Sequence, residues 1–225
     1  MQAEQTISSW MATAKVPSRP SLKENIKVDV CVVGAGIAGM TTAYLLASEG
    51  KKVAVLDDGP IGGGMTGRTT AHLVNALDDR YFELERLHGE QGARLAAESH
   101  TAAIDLIERI VTREAIDCDF ARLDGYLFVP PGDSQKILDD ELEAARRAGL
   151  DLKKVERAPL DYDTGPALLF PNQGQFHPLK YLAALADLIE QKGGRIYCGT
   201  HVSEVVGGKK ARVTSVNGSV VTCAA

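Results

Sequence analysis

This chain has no basic surplus. Its 25 Lys and Arg stand against 30 Asp and Glu, a net charge of −5. Nucleic acid is therefore not expected as the main partner, because no excess cation exists to neutralise phosphates. Cysteine is sparse and scattered: Cys31, Cys118, Cys198 and Cys223 form no C-x-x-C pair. Residues 1–27 hold no basic stretch followed by an apolar core, so no secretory leader is read. Reduced thiols in a cytoplasmic protein are the resulting expectation. The five His residues lack ligand spacing, so no metal site is expected. There is no internal repeat and no low-complexity tract. Residues 28–48 are apolar over about the length of a membrane span. Three glycines at turn spacing and Asp29 at the start argue instead for a strand, a turn and a helix, so no transmembrane segment is expected.

What is present suffices for a globular core. Apolar residues make up 44% of 225 positions, enough for one or two domains. Residues 28–57 carry the most information. An apolar run at 30–33 reads as a buried parallel strand. Gly34, Gly36 and Gly39 follow in G-x-G-x-x-G spacing, then a helix over 37–49, then a strand at 53–56 that ends in Asp57. This is the dinucleotide-binding βαβ pattern. The first glycine permits a tight turn, the second lets backbone approach a pyrophosphate, and the third lets helix and strand pack closely. Ile37 and Ala38, in the first helical turn, would offer N–H groups and the positive dipole end to phosphates. Asp57, or its neighbour Asp58, would accept from ribose hydroxyls.

The loop at 62–72, G-G-G-M-T-G-R-T-T-A-H, follows the second strand. Its glycines, Gly64 among them, permit close approach to a ligand. Thr66, Thr69 and Thr70 can donate hydroxyl hydrogen bonds, and Arg68 supplies a charge-assisted partner for a pyrophosphate or a flavin carbonyl. A nicotinamide enzyme seldom needs such a loop here. FAD, being longer, does. No Arg stands at the tip of the second strand to meet a 2′-phosphate.

The remaining elements follow from periodicity. Residues 1–27 read as an extended, partly mobile arm with Trp10 as its one large apolar contact. Tyr81, Leu84 and Leu87 share one helical face. A longer helix over 90–113 turns Leu95, Ile104, Ile107 and Val111 inward and Glu98, Asp105, Glu108 and Arg109 outward. Residues 117–129 read as a hairpin about Asp124-Gly125, broken by Pro130-Pro131-Gly132-Asp133. Helices are predicted over 134–148 and 178–191, with an irregular loop and a short strand over 158–176. Short strands at 195–198, 202–206, 211–216 and 219–223 follow, with Asn217-Gly218 as a hairpin turn.

Several stretches together resemble FAD-dependent oxidoreductases of the D-amino-acid oxidase type, closest to the bacterial branch fused to a C-terminal Rieske domain. They are S9-W-M-A-T13, V28-D-V-C-V-V-G-A-G-I-A-G39, G64-M-T-G-R-T-T-A-H-L73, D78-D-R-Y-F-E-L-E-R-L-H88, D124-G-Y-L127 and F170-P-N-Q-G-Q-F-H-P-L-K-Y-L182. The resemblance implies an α/β fold: an FAD-binding Rossmann-like βαβ domain with a three-stranded meander, plus part of an α+β substrate domain. It implies an arm at 1–27, an FAD-binding domain at 28–115 and 177–225, and a partial substrate domain at 116–176. Gly34, Gly36, Gly39 and Asp57 would hold the ADP half of FAD. Thr66, Arg68, Thr69 and Thr70 would face the pyrophosphate and flavin, and Val202 would present backbone to the adenine. Some relatives attach FAD to a His in the glycine-rich loop. Arg68 stands nearest that position here, so non-covalent FAD is expected. Family members continue beyond the position of Ala225, and no C-x-H…C-x-x-H pair occurs in this sequence. The chain is thus expected to be an N-terminal half, with a Rieske [2Fe–2S] centre only in a longer parent.

His177, Lys180 and Tyr126 are the polar residues expected nearest a substrate. For His177 a helix-start role is an equal alternative, and for Tyr126 a place in the sheet core. Flavin amine oxidation needs little acid–base help, since the cofactor carries the difficult chemistry. The leading expectation is an oxidoreductase acting on a small amine or amino acid, its electron acceptor unspecified. A non-catalytic or partner-dependent FAD-binding half, and a flavin monooxygenase, stay open as alternatives. So does a homo-oligomer.

Overall fold

The computed structural model describes residues 6–130 and 132–225; Pro131 and the first five residues of the arm lie outside the described residues. The elements begin with α1 (Ser9–Thr13), β1 (Ile26–Lys27), β2 (Val30–Val33), α2 (Ile37–Ser48) and β3 (Val53–Leu56). A 3-10 turn at Met65–Arg68 precedes β4 (His72–Leu73), α3 (Tyr81–Arg113), β5 (Ala121–Phe128), α4 (Lys136–Arg147), β6 (Lys153–Val155) and β7 (Ala167–Gln175). Last come α5 (Pro178–Gln191), β8 (Arg195–Tyr197), β9 (Val202–Val206), β10 (Arg212–Ser215) and β11 (Val220–Thr222). The chain divides into two compact units, Met1–Thr70 with His177–Ala225, and Ala71–Phe176. Residues 71–115 thus fall in the second unit, not in the dinucleotide-binding one to which their position in sequence assigned them.

The first unit holds a parallel sheet in the order β2-β3-β8 and a second sheet in the order β1-β11-β10-β9. β3, V-A-V-L, is buried at every position, as a central parallel strand covered on both faces must be. β2 departs from its expected burial. It is only half-buried, and Val33 is 51% exposed, because β2 stands at the sheet's edge. The meander β9-β10-β11 is antiparallel, with Gly218 at φ 86° in its turn. β1 joins it in parallel through Ile26 and Val221. Leu22, Ile26, Val28, Ala54, Leu56, Val213 and Val221 form the core between the sheets. α2 packs against α5, burying Met40, Ala43, Tyr44 and Ala47 on one side and Leu182, Leu185, Ala186 and Ile189 on the other.

The arm is neither wholly extended nor loose. Residues 9–13 form a helix capped by Ser8, whose hydroxyl accepts from Met11 N–H. Arg19 lies across α5. Its guanidinium donates to both carboxylate oxygens of Glu190, at 2.7 and 2.9 Å, and to Asp187 at 2.9 Å. These partners, Glu190 first, raise its pKa. Leu22 is fully buried, its N–H donating to Thr200 Oγ1.

The second unit is a sheet with β7 at its centre. β5 lines one edge of β7, and β4 and β6 take the other edge near its two ends. Two expectations fail here. The hairpin over 117–129 is a single strand, β5. The ladder shifts register between Leu123 and Gly125, so Pro171 and Asn172 of β7 together oppose the single Asp124, a bulge on β7. Gly125 serves close approach rather than a turn: a Cβ there would sit 3.1 Å from Gln173 Cγ. The strand expected at the end of 158–176 follows an irregular run but is not short: it is the nine-residue β7, and its Pro171 and left-handed Asn172 (φ 58°) form the bulge.

α3 runs through what reads as two helices and breaks at Gly89 (φ 72°, ψ 169°). The break resets the helical phase, leaving Leu87 and Leu95 more than half exposed. Ile104 and Ile107 face inward as expected, joined by Ala93, Ala97 and Ile110 in place of Leu95. No side chain of its own caps α3; Glu141 of α4, fully buried, accepts from Tyr81 N–H at 2.7 Å. Tyr81 and Glu141 thereby tie α3 to α4 inside a core of Leu138, Ala144, Ala145, Leu152, Leu168 and Phe170. Among the described residues no helix is long and apolar enough to cross a membrane.

Candidate functional site

The candidate site lies in the first unit, where β2 turns into α2. Gly34 takes φ 110°, a value open to glycine, and its N–H donates to Leu56 O at 2.7 Å. Gly36 is the N-cap of α2 and provides no side-chain cap, and no acid sits in the first turn. A Cβ on Gly39 would lie 1.9 Å from Gly34 O, so only glycine lets the helix start so close to the strand. Ala38 is exposed in that first turn. The donors of a helix start are therefore presented without a side-chain acceptor of the helix's own, the arrangement that receives a phosphate.

Asp57 closes the turn. Its Oδ2 accepts from Ala35 N–H at 2.5 Å and its Oδ1 from Gly59 N–H at 2.7 Å. Both oxygens already hold backbone donors, so Asp57 braces the glycine turn. Asp58 is the exposed carboxylate at the same strand tip. It lies 3.2 Å from His201 Nδ1, and both side chains are open to solvent. His201 was not legible as a site residue, because only the β8–β9 connection brings it beside β3. Val202, directly after it, opens β9 opposite Ser215 at a register shift and packs on the core between the sheets.

The glycine-rich loop folds back over the turn. Gly62 N–H donates to Ala35 O at 2.9 Å, and Ile37 N–H donates to Thr66 Oγ1 at 3.2 Å. Thr66 thus reaches the first N–H of α2. Arg68 donates through Nη1 to Gly63 O and Gly64 O, at 2.8 and 3.2 Å, so its contact is with the loop itself. Thr69 offers its carbonyl to the arm: Trp10 Nε1–H donates to Thr69 O at 2.7 Å. Thr70 is exposed at the end of the unit.

Of the three substrate-facing candidates, His177 has its ring committed. It is the N-cap of α5, with Nδ1 accepting from Lys180 N–H at 3.3 Å and Nε2 lying 3.0 Å from Thr13 Oγ1. Thr13 Oγ1 also donates to Ser9 O at 2.6 Å. A hydroxyl with one proton then accepts from His177, which fixes the Nε2–H tautomer of a neutral ring. His177 is 4% exposed, so the helix-start alternative describes its contacts. Lys180 begins the same helix, half-buried, and Tyr126 lies half-buried on β5 of the other unit.

The residues fit a dinucleotide with a long central section: a helix start with no side-chain cap of its own, a glycine turn in which Gly39 has no room for a Cβ, an exposed acid at the strand tip and a threonine-bearing loop over the turn. A family model described as "FAD dependent oxidoreductase" matches residues 29–225. A putative Rieske 2Fe-2S iron-sulfur protein of Bacillus subtilis (strain 168) is 36% identical over 92% of this chain and 40% of its own length. Gamma-glutamylputrescine oxidoreductase of Escherichia coli (strain K12) is 34% identical over 96% of this chain and 52% of its own. The chain thus spans about half, or less, of the curated relatives it matches. Among solved structures, glycine oxidase from Geobacillus kaustophilus superposes with a TM-score of 0.69 at 20% identity, covering 89% of this chain and 54% of that one. L-Proline dehydrogenase from P. horikoshii gives 0.69 at 20%, covering 90% and 52%. At that identity the likeness concerns the fold. The match over 29–225 extends across both strand systems of the first unit and the whole of the second, and the chain belongs to the FAD dependent oxidoreductase family.

Proposed function

We propose that this chain carries the FAD-binding portion of an enzyme that oxidises a small amine or amino acid, with FAD held non-covalently. The observation that carries the reading is the start of α2. Its N–H groups meet no side-chain cap from the helix, and the 62–70 loop is stapled across them through Gly62 and Thr66. Bound FAD would supply the redox chemistry, as acceptor for the hydride on the amine-bearing carbon. The chain's own residues bind and orient. Gly34, Gly36 and Gly39 leave room for the pyrophosphate, Ala38 directs its N–H at it, and Thr66, which holds the Ile37 N–H, would yield that donor to the same oxygens. Asp58 takes the ribose, while Asp57 keeps the turn in shape. Gly64, Arg68, Thr69 and Thr70 carry the cofactor's central section, and Val202 flanks the adenine end.

The substrate class follows the relatives. The Escherichia coli protein is named for gamma-glutamylputrescine, and solved neighbours include an L-amino acid deaminase and a glycine oxidase. A [2Fe–2S] centre, as in the name of the Bacillus subtilis relative, belongs to a longer parent in this reading. The test is titration of the apo protein with FAD and with NAD, read by flavin fluorescence and calorimetry. Saturable FAD binding at one per chain is expected. Saturable NAD binding without FAD binding overturns the reading.

A further inference from the structure

We infer that residues 8–13 form a clasp that sets the shape of the glycine-rich loop 62–70, making Ser8 and Trp10 positioning residues for the cofactor. The inference rests on the FAD reading above. Neither residue belongs to the βαβ unit, and nothing in the dinucleotide pattern calls for them.

The loop needs an external hold. Glycines at 62, 63, 64 and 67 make it costly to order, since glycine loses the most backbone freedom on folding. Its first half is fixed from within the site, by Gly62 N–H on Ala35 O, Gly63 N–H on Pro60 O and the Arg68 guanidinium on Gly63 O and Gly64 O. Its second half is held by the arm. Ser8 Oγ donates to Gly67 O at 2.5 Å and Trp10 Nε1 donates to Thr69 O at 2.7 Å. A Cβ on Gly67 would lie 2.7 Å from the backbone Gly62 O, which requires glycine there, and 2.8 Å from Met11 Cε, which places the arm directly against the loop.

The clasp is itself fastened. A five-residue helix does not persist alone in water, so α1 owes its place to its contacts. Ser8 starts it, by accepting from Met11 N–H at 3.2 Å while donating to the loop. Thr13 ends it on His177, Oγ1 to Nε2 at 3.0 Å, and the Trp10 ring meets the His177 ring edge-on at 5.0 Å between centroids. His177 caps α5. The hold on the loop therefore runs from α5 through His177 and α1 to Gly67 and Thr69. Between those carbonyls and Gly64 lies Thr66, whose hydroxyl meets Ile37 N–H at the cofactor end of α2. Release of the clasp leaves the binding-competent loop shape less populated, and the apparent FAD affinity falls by that fraction.

The test uses the full chain in three forms besides wild type: Trp10→Phe, which keeps a ring and removes the donor, Ser8→Ala, and Ser8→Thr, which keeps the hydroxyl. Amide hydrogen exchange on the apo proteins is expected to speed up about tenfold or more across 62–70 in Trp10→Phe and Ser8→Ala, with β3 and α5 unchanged and Ser8→Thr close to wild type. The FAD dissociation constant should rise about tenfold in the same two variants and recover in Ser8→Thr. Unchanged exchange in the loop overturns the clasp. Faster exchange with unchanged FAD affinity overturns its cofactor role. Should wild type bind no FAD, the family-based reading fails while the exchange data still decide whether the clasp exists.

Discussion

Asp57 Oδ2 accepts the backbone N–H of Ala35, inside the glycine turn, at 2.5 Å, and this bond separates two acids that look alike in sequence. Asp57 is a brace, and Asp58 is the solvent-exposed carboxylate beside His201. Replacing Asp57 by Ala orphans Ala35 N–H and Gly59 N–H and removes hydrogen bonds to a charged group, each worth about 1.5–3 kcal/mol. Apo Asp57→Ala should lose stability of that order in urea denaturation and bind FAD roughly ten- to a hundredfold more weakly. Asp58→Ala should lose FAD affinity with its denaturation midpoint unchanged. The reverse pattern would place the ribose on Asp57.

Gly39 admits no side chain. A Cβ there would stand 1.9 Å from Gly34 O, a backbone atom that can move only by opening the turn. Gly39→Ala is expected to cost about 1–3 kcal/mol or more and to abolish saturable FAD binding. Differential scanning fluorimetry with and without FAD measures both effects.

Glu141 gives a pH dependence with a definite sign. Burial raises its pKa, against the opposing pull of the Tyr81 N–H. A folded-state value above the unfolded value of about 4.3 means the folded chain holds the proton more tightly. That contribution is fully present below the unfolded pKa and is lost as pH rises through the folded one. Glu141→Gln keeps an acceptor for Tyr81 N–H and does not titrate. Its stability relative to wild type should therefore increase from pH 4 to pH 8, by about 1.4 kcal/mol for each unit of raised pKa. Urea denaturation at several pH values reads the difference, and a constant difference would show that Glu141 does not titrate in this window.

Val33 is an exposed apolar residue on an edge strand. β3 pairs one side of β2, and on the other Cys31 N–H donates to Ala225 O. Edges of this kind pair with further chains. Val33→Lys is expected to lower light scattering of concentrated protein without loss of helix signal. Undiminished scattering would locate self-association elsewhere.

The βαβ unit was legible because its constraints are local: Gly34, Gly36 and Gly39 act within a few residues of one another, and β3 needs an unbroken apolar run. The α5 start was legible for the same reason, with His177 and Pro178 at a helix N-terminus. Long-range pairing was not. Asp124-Gly125 carries the signature of a turn, yet β7 holds it straight, and Gly125 makes room for Gln173. Pro171 and Asn172 look like loop residues until β5 and its neighbours give them a sheet. Gly89 hid the phase break that exposes Leu87 and Leu95. Within the site, Asp57 announced an acid at the strand tip, but only the fold shows both of its oxygens occupied, and only the β8–β9 connection brings His201 to Asp58.

The parallel pairing of Ala54 with Arg195, and of Ile26 with Val221, bears on the order of assembly. The second unit is continuous in sequence, Ala71–Phe176. The first must wait for β8 and then for β11. At about 5–20 residues per second, a nascent chain carries the apolar β2 and β3 without β8 for roughly seven to thirty seconds. The glycine turn is made well before β8 and β11 and gains their support only once both have been made, so cofactor capture during synthesis waits on them.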